Sequence, residues 1–225
     1  MRRSLETAIS LYAKAGDQGE ESALNFLGAY QVNQANNYEQ GVALFRKAAT
    51  SGNCGRALNN LAICFEKGFG DCQQDYQKAL QLYEKSSKMG YCPAMVNRAY
   101  LHFKMAEQAE TEFDKSDHFF DCSNWLRLAL SRNEDIRDAQ YLMGHLYEEG
   151  LSVDKNLPAA FECFKKAADL GCRKSNTKVG HYYYSGVASH NYDDISPEDI
   201  DLSTEEDISL LGINNEKYHI SPDKK

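Results

Sequence analysis

The sequence predicts an all-α protein, folded as a right-handed α-solenoid of antiparallel helix pairs. The first observation is one order of residue types, namely alanine, an aromatic, a basic residue, alanine and glycine, which occurs at 8–19, 43–52 and 159–171. The second is a different pattern at 57–68, 139–150 and 175–186. In it, the residues four and eight places after the first one continue a small or apolar face, and a glycine stands eleven places after the first one. Two alternating helical patterns indicate a repeated unit of two helices.

The first helix of each pair is marked by patterns such as "ALNNLAICFEKG" at 57–68. Its spacing places Ala57, Leu61 and Phe65 on one helical face. The closing glycine suits the left-handed conformation that ends a helix; it is missing after "ALNFLGAY" at 23–30. A small residue follows the apolar position and lets a neighbouring helix approach closely: Gly28, Ala62, Ala99, Gly144 and Gly180.

The second helix of each pair is expected to begin after Asn37, Asp75 or Asn156, because an Asx side-chain oxygen accepts an orphan backbone N–H. An aromatic residue stands eight places past each cap. The helices are expected to stop at three glycines: Gly52, Gly90 and Gly171. Side chains from both helices are expected to form the core: Leu27, Leu61, Phe65, Tyr83, Met143, Tyr147, Phe164 and Val179.

The third pair departs from the pattern. It has no glycine at the usual stop, and residues 102–113 are good helix-forming sequence. We therefore expect the first helix to overrun by about two turns, followed by a short link at 114–117 and a second helix through "FFDCSNWLRLAL". Arg98 occupies a slot that is apolar in the other repeats, where an unpaired charge is costly. It is interpreted either as a snorkelling side chain bonded to a carboxylate or helix end, or as an anchor for a partner.

Both ends of the repeat region are incomplete. Residues 5–16 have the pattern of a second helix without its first, which indicates either an N-terminal cap or part of a longer array. We divide the chain into a solenoid over 1–187, with about four to five repeats, and an acidic tail over 188–225. Ser196 with Pro197, and Ser203 with Glu206, predict one or two short helices in that tail. Its apolar residues are expected to dock on the last repeat or on a partner.

Charge is concentrated in the tail. The chain carries a net charge of −8, and residues 190–225 contain ten of its acidic residues but three lysines. The nearly neutral body has no basic stripe of the kind that nucleic acids bind, and no apolar run is long enough for a membrane helix. We expect no nucleic-acid partner and no direct membrane insertion. The tail carboxylates would face water or a basic surface of a partner.

Seven cysteines without CxxC spacing indicate reduced thiols and no structural zinc. The start, "MRRSLETAIS", lacks the apolar stretch of a signal peptide, so a cytoplasmic location is expected. Two histidines on adjacent repeats have no third ligand at useful spacing, and no metal or other cofactor is expected.

The stretches "LAICFEKGFG…DYQKALQLYEKSSKMG" and "LMGHLYEEGLSVDKNLPAAFECFKKAADLG" resemble the Sel-one-like repeat family, a relative of the tetratricopeptide repeat. The resemblance covers residues 5–186. It implies a role as an adaptor or scaffold, as in chaperone-assisted degradation, regulation of membrane-bound enzymes or host–microbe contact. Some bacterial members have a cysteine pair in every repeat, whereas the cysteines of this chain do not recur in that way.

One column of side chains is a candidate site for a partner. Counting six places along successive first helices brings Tyr100, His145 and His181 to equivalent positions. In repeat solenoids the first helices usually line the concave face. Asparagines and Arg98 lie one or two turns away, so the candidate binding set is Asn59, Asn60, Asn97, Arg98, Tyr100, His145 and His181. The alternative is that these are ordinary solvated residues.

No catalytic motif is found: the sequence has no phosphate-binding glycine loop, no GxSxG and no HExxH. The acidic pair Glu148 and Glu149 is interpreted as a solvated helix end. The sequence therefore predicts a non-catalytic scaffold or adaptor that binds a peptide or protein partner, alone or within a larger assembly. The alternative is an enzyme on the repeat scaffold, a thiol-dependent hydrolase.

Overall fold

Helices form every regular element over residues 2–50 and 53–186, the residues that the computed structural model describes. The all-α fold of successive helix pairs is confirmed there. The ten helices of these residues are α1 (Arg2–Asp17), α2 (Glu21–Asn33), α3 (Tyr38–Ala49), α4 (Gly55–Lys67), α5 (Tyr76–Lys88), α6 (Cys92–Gln108), α7 (Glu112–Arg132), α8 (Arg137–Glu149), α9 (Leu157–Asp169) and α10 (Arg173–Tyr184).

Local signals determine where most of these helices begin and end. The three Asx caps are confirmed: the Asn37, Asp75 and Asn156 side chains accept hydrogen bonds from backbone N–H groups three residues on, at 3.2, 2.9 and 3.0 Å. The stops at Gly68 and Gly150 are also confirmed, because their φ angles of 72° and 73° are left-handed. Each cap satisfies backbone groups that a helix end leaves unpaired.

The chain divides into two compact units at Tyr91 and Cys92. In the first unit, α1 to α5 pack each on the next helix along the chain, and α2 also contacts α4. Its interior contains fully buried Val42, Phe45 and Tyr83. Single helices of this length are marginal in water, so these contacts supply most of the stability of each helix.

The second unit contains α6 to α10. One apolar cluster, with Met95, Leu126 and Leu146, joins α6, α7 and α8. Another, with Phe161 and Phe164, joins α9 and α10. Because α8 side chains contact both clusters, this helix links the two halves of the unit.

Seven of the eight expected core residues are buried: Leu27, Leu61, Phe65, Tyr83, Met143, Phe164 and Val179. The expectation for Tyr147 is wrong in degree, because this side chain is half-buried. It lies at the edge of both apolar clusters of the second unit. A phenol can occupy such an edge with its ring covered and its hydroxyl near water.

In the third pair the first helix overruns as expected, since α6 has 17 residues against 13 each in α4 and α8, but the rest of the expected layout is wrong. The link lies at 109–111 rather than 114–117, and the longest helix is the second one, with 21 residues in α7 against 17 in α6. The reason is Thr111, whose hydroxyl oxygen accepts a hydrogen bond from the Asp114 backbone N–H at 3.0 Å. This N-cap starts α7 before the aspartates, which then occupy its first two turns.

Some expectations concern residues outside those described. They are the stop at Gly52 and the short helices of the tail, since the description ends at residue 186. Among the described residues, no helix is both long enough and apolar enough to cross a membrane.

Candidate interaction surface

Two of the candidate binding residues belong to the interior of the first unit. Asn59 is 1% exposed and Asn60 is 8% exposed. The Asn60 side-chain nitrogen donates to Asn25 Oδ1 at 2.9 Å, and that of Asn59 is 3.5 Å from Asn60 Oδ1. Buried amides require such partners. The bond between Asn60 and Asn25 joins α4 to α2, and both α4 side chains offer little surface to a partner.

The three candidates on α6 differ in their exposure. Asn97 is buried, whereas Arg98 and Tyr100 are half-buried. The Arg98 guanidinium carbon lies 4.2 Å from the centre of the Trp125 ring on α7. A cation over an aromatic face is attracted by the ring's negative charge, which stabilises this charge at an otherwise apolar slot. The sequence analysis missed Trp125, whose contact with α6 depends on the packing of two helices.

His145 occupies a half-buried place on α8. Its Nε2 lies 3.1 Å from the Tyr141 hydroxyl oxygen, and its ring meets Phe164 edge-on with the centroids 5.7 Å apart. Burial lowers the pKa of His145, the nearby Lys178 lowers it further, and Glu148 opposes both. The imidazole is therefore neutral at pH 7, suited to hydrogen bonding rather than ion pairing.

Glu148 is the centre of the polar contacts around His145. Its Oε2 is 2.6 Å from Lys178 Nζ, its Oε1 accepts a hydrogen bond from the Tyr182 hydroxyl at 3.3 Å, and its Oε2 lies 3.8 Å from His145 Nδ1. Burial, followed by the Glu148 charge, raises the pKa of Tyr182 to about 12. The reading of Glu148 as a solvated helix end is wrong, because this carboxylate joins α8 to α10; Glu149 is exposed, as expected.

The same repeat slot holds a buried carboxylate in the first unit. Glu66 on α4 is 3% exposed and accepts a hydrogen bond from the Tyr83 hydroxyl at 2.9 Å. Lys67 Nζ lies 3.3 Å from its other oxygen. Comparison of "CFEKG" with "LYEEG" is the sequence signal that relates Glu66 to Glu148. In both units this glutamate connects helices.

The polar side chains of the predicted column are at least partly exposed in the second unit. Tyr100 and His145 are half-buried and His181 is exposed. The equivalent slots of the first unit hold Ala29 and Ile63, of which Ile63 is buried. The candidate site is therefore a feature of the second unit, and apolar side chains replace it in the first.

No metal centre is apparent in the residues described, and three of the cysteines have thiols that burial makes hard to ionise. No group of three or more His, Cys, Asp or Glu side chains there has an arrangement that holds a metal ion. Burial raises the pKa of Cys64 to about 12 and that of Cys163 to about 11, and it also raises the pKa of Cys122. Thiols in such surroundings are poor nucleophiles, because the reactive thiolate is disfavoured.

A family model for the Sel1 repeat matches residues 1–20, 22–53, 55–91 and 137–172, together more than half of the chain. The chain belongs to the Sel1 repeat family. The matched segments correspond to helix pairs of this structure and to the single helix α1. Residues 92–136, which contain α6 and the long α7, lie between matched segments.

Two curated relatives of this Sel1 repeat protein match a limited part of it. "DAP3-binding cell death enhancer 1" of Rattus norvegicus is 34% identical over 89 residues, which are 40% of this chain and 17% of the relative. Its counterpart in Mus musculus is 33% identical over the same shares. The match thus spans less than a fifth of the length of either relative.

A solved structure supports the same fold. The crystal structure of a Sel1 repeat protein from Oxalobacter formigenes is similar with a TM-score of 0.58 at 22% identity, over 79% of this chain and 74% of that one.

Proposed function

We propose that this Sel1 repeat protein is a non-catalytic scaffold that binds a peptide or protein partner through the first helices of its second unit. Sel1 repeats typically serve protein interaction. The observation that carries the proposal is the polar column of Tyr100, His145 and His181, one residue on each of α6, α8 and α10. Regularly spaced polar groups on rigid helices suit the backbone and side chains of an extended peptide.

We expect three of the candidate side chains that are at least partly exposed, Arg98, His145 and His181, to make the contacts. Asn97, like Asn59 and Asn60, is buried and would support the surface from beneath. The raised thiol pKa values of three cysteines favour a scaffold over a thiol-dependent hydrolase. No disulfide joins the seven cysteines, all of which lie in the part of the chain that the structure describes, and this is compatible with a reducing, cytoplasmic compartment, which we propose as the location.

The experiment begins with a defined probe. Because the matched relatives are named for binding DAP3, purified DAP3 is the first protein to titrate against the full chain by calorimetry; partners captured from cells are then purified and titrated in the same way. His181→Ala is the primary variant, since this side chain is exposed and its loss should leave the fold intact. We expect a loss of at least about 1 kcal/mol of binding free energy, the threshold that separates contributing contacts from neutral ones.

The matched control is Lys166→Ala, which removes an exposed side chain from α9, the second helix of its pair. Arg98→Met tests the other candidate anchor by removing the charge while keeping an unbranched side chain. If neither His181→Ala nor Arg98→Met weakens binding, and Lys166→Ala does, the partner binds the second helices and the proposed surface is wrong.

A further inference from the structure

The long helix α7 of the second unit carries large apolar side chains that are exposed. Phe113, Phe120 and Leu128 are 74%, 57% and 39% exposed. Successive residues of a helix are turned by about 100°, so these three positions lie within an arc of about 80° and span about 22 Å of the helix. They therefore form one continuous surface, which we call the α7 stripe.

The equivalent helices α3, α5 and α9 have no large apolar side chain at these places. The helices are aligned on the buried small residue near the end of each: Ala48, Ser86, Ala129 and Ala167. In this alignment Leu128 replaces three exposed lysines: Lys47, Lys85 and Lys166. Phe120 replaces three other exposed residues: Glu39, Gln77 and Pro158. A contiguous apolar surface in place of solvated side chains is typical of a contact surface.

Polar side chains on the same face of α7 indicate what covers the stripe. Asp117 and Asn124 lie between its apolar residues and Arg127 lies at its edge, and all three are exposed. The whole helix has an uneven charge. Residues 112–121 contain four acidic residues and one lysine, whereas residues 122–132 contain two arginines and no acidic residue. The charges of α7 are thus complementary to those of a second α7 that runs in the opposite direction.

An antiparallel pair of α7 helices also matches apolar residues with apolar residues. A two-fold axis just after Phe120 brings this side chain next to Phe120 of the second copy. Phe113 and Leu128 are equally far from that axis, so each lies opposite the other residue of the second copy. Asp117 lies opposite Asn124 in the same way, with Arg127 one helical turn further on. A parallel pair would instead place Asp117 against Asp117, and like charges repel each other.

We propose that the α7 stripe is a self-association surface, on which a second copy of this chain packs its own α7 in the antiparallel direction. Phe113, Phe120 and Leu128 form the apolar centre of the contact. Asp117 of each copy pairs with Arg127 of the other. The argument for a second copy over another protein is that the same stripe supplies both members of every pair. The contact uses a second helix, whereas the surface proposed for a peptide partner uses first helices.

The first test is the oligomeric state of the full-length chain, measured by sedimentation velocity over a range of protein concentrations. We expect a reversible equilibrium between monomer and dimer. Phe120→Glu should raise the dissociation constant of the dimer at least about tenfold, because it places two carboxylates against each other at the centre of the contact. Tyr184→Glu is the matched control. It adds the same charge to the same unit at a side chain that is 94% exposed on α10, so the equilibrium should not change.

A pair of charge reversals tests the direction of the two helices. Asp117→Arg and Arg127→Asp should each weaken the dimer that the variant forms with itself, since like charges then meet on both sides of the two-fold axis. In an equimolar mixture of the two variants both oppositely charged pairs form again. The mixed dimer should therefore have a dissociation constant within about threefold of that of the unmodified chain. A variant that fails to fold cannot produce this recovery.

Three results would overturn the proposal. An unmodified chain that stays monomeric up to about 100 μM would show that a second copy does not cover the α7 stripe, and would assign the stripe to another part of the chain or to a different protein. A dimer that is as strong in Phe120→Glu as in the unmodified chain would place the contact on another surface. Charge-reversal variants that weaken the dimer singly and remain monomeric when mixed would contradict the antiparallel direction.

Discussion

At the scale of single residues, the most specific contact in this Sel1 repeat protein is a glycine packed under an aromatic ring. Phe164 is fully buried, and its ring lies over Gly144 so closely that the glycine has no room for a Cβ atom. The same ring contacts Tyr141, His145 and Tyr182, at centroid distances of 5.8, 5.7 and 6.1 Å. Phe45 and Gly28 repeat the contact in the first unit. The large aromatic ring therefore requires a glycine opposite it, because the ring occupies the space that a Cβ atom would need.

Phe164→Ala should lower the free energy of unfolding by about 3–5 kcal/mol, because a large buried ring leaves a cavity that the helices fill only in part. Denaturant titration measures this loss. A loss below about 1 kcal/mol would mean that the ring does not fill the core between α8, α9 and α10.

Gly144→Ala should reveal the coupling between the two residues. Alone it should destabilise the protein, since an overpacked core costs about 1–3 kcal/mol and exceeds the gain of about 1 kcal/mol in helix propensity. In the Phe164→Ala background the clash is gone, so the same change should become stabilising. The double-mutant cycle measures the difference, and an effect of Gly144→Ala that is equal in both backgrounds would contradict the contact.

Among the helices, α7 differs most from the repeat. Its 21 residues exceed the 12 of α3 and the 13 each of α5 and α9. The excess follows from its start at Thr111, whose hydroxyl both accepts from the Asp114 backbone N–H and donates to the Asp114 carboxylate at 2.7 Å. Asp114 and Glu112 in the first turn also interact favourably with the positive end of the helix dipole. A single hydroxyl thus extends the helix beyond the length of its equivalents.

Thr111→Ala should cost about 1 kcal/mol of stability and fray the first turns of α7. Hydrogen exchange over residues 112–118 should become faster, while exchange at the other end of the helix should not change. Thr111→Ser keeps the capping oxygen and serves as the control. Similar exchange in the alanine and serine variants would show that the cap does not determine where α7 begins.

At the level of the two units, the histidines that the structure describes all belong to the second unit. His102 on α6 is 4% exposed, and its Nδ1 lies 3.4 Å from His118 Nδ1 and 3.7 Å from the Asp121 carboxylate. Burial lowers the pKa of His102 to about 4; Asp121 opposes this shift, whereas Arg98 and His118 add to it. The folded second unit therefore resists a proton that the unfolded chain accepts near pH 6.5.

Acid should selectively destabilise the second unit. Between pH 6.5 and about 4 the unfolded chain binds a proton at His102 that the folded chain does not, so the free energy of unfolding falls as the pH falls, by on the order of 2–3 kcal/mol, and the contribution is complete above pH 6.5. His145, whose pKa burial also lowers, acts in the same direction. Trp125, the single tryptophan, lies in this unit and reports its unfolding by fluorescence.

His102→Gln is the control for this titration, because it removes the proton-binding group and should flatten the loss. A second unit that becomes more stable on acidification from pH 7 to 5 would contradict the depressed pKa. So would a variant whose pH dependence matches that of the unmodified chain.

Much of the fold was predictable because its signals are local. The caps at Asn37, Asp75 and Asn156 and the stops at Gly68 and Gly150 depend on a few consecutive residues and on backbone geometry. The wrong prediction of the link before α7 also concerns a local signal, the N-cap at Thr111. Thr111 and Asp114 have capping-box spacing, and strong helix-forming residues around them concealed the break.

The candidate site was less predictable, because burial depends on side chains from other helices. Helical spacing predicts that Tyr100, His145 and His181 form one column, and each of the three is at least partly exposed; their role in binding stays a prediction. Spacing did not show that Asn59 and Asn60 lie inside, or that Trp125 lies beside Arg98.

The all-α repeat, the order of its helices and most of their ends follow from local sequence, since period, cap and glycine act within one helix or one turn. Which polar groups become structural depends on how the helices pack. The sequence predicts a solvated Glu148 carboxylate, whereas in the fold Lys178 and Tyr182 of α10 bind it. The free energy of a charged or amide side chain depends on the groups that replace its water, and in this protein those groups come from helices distant in sequence.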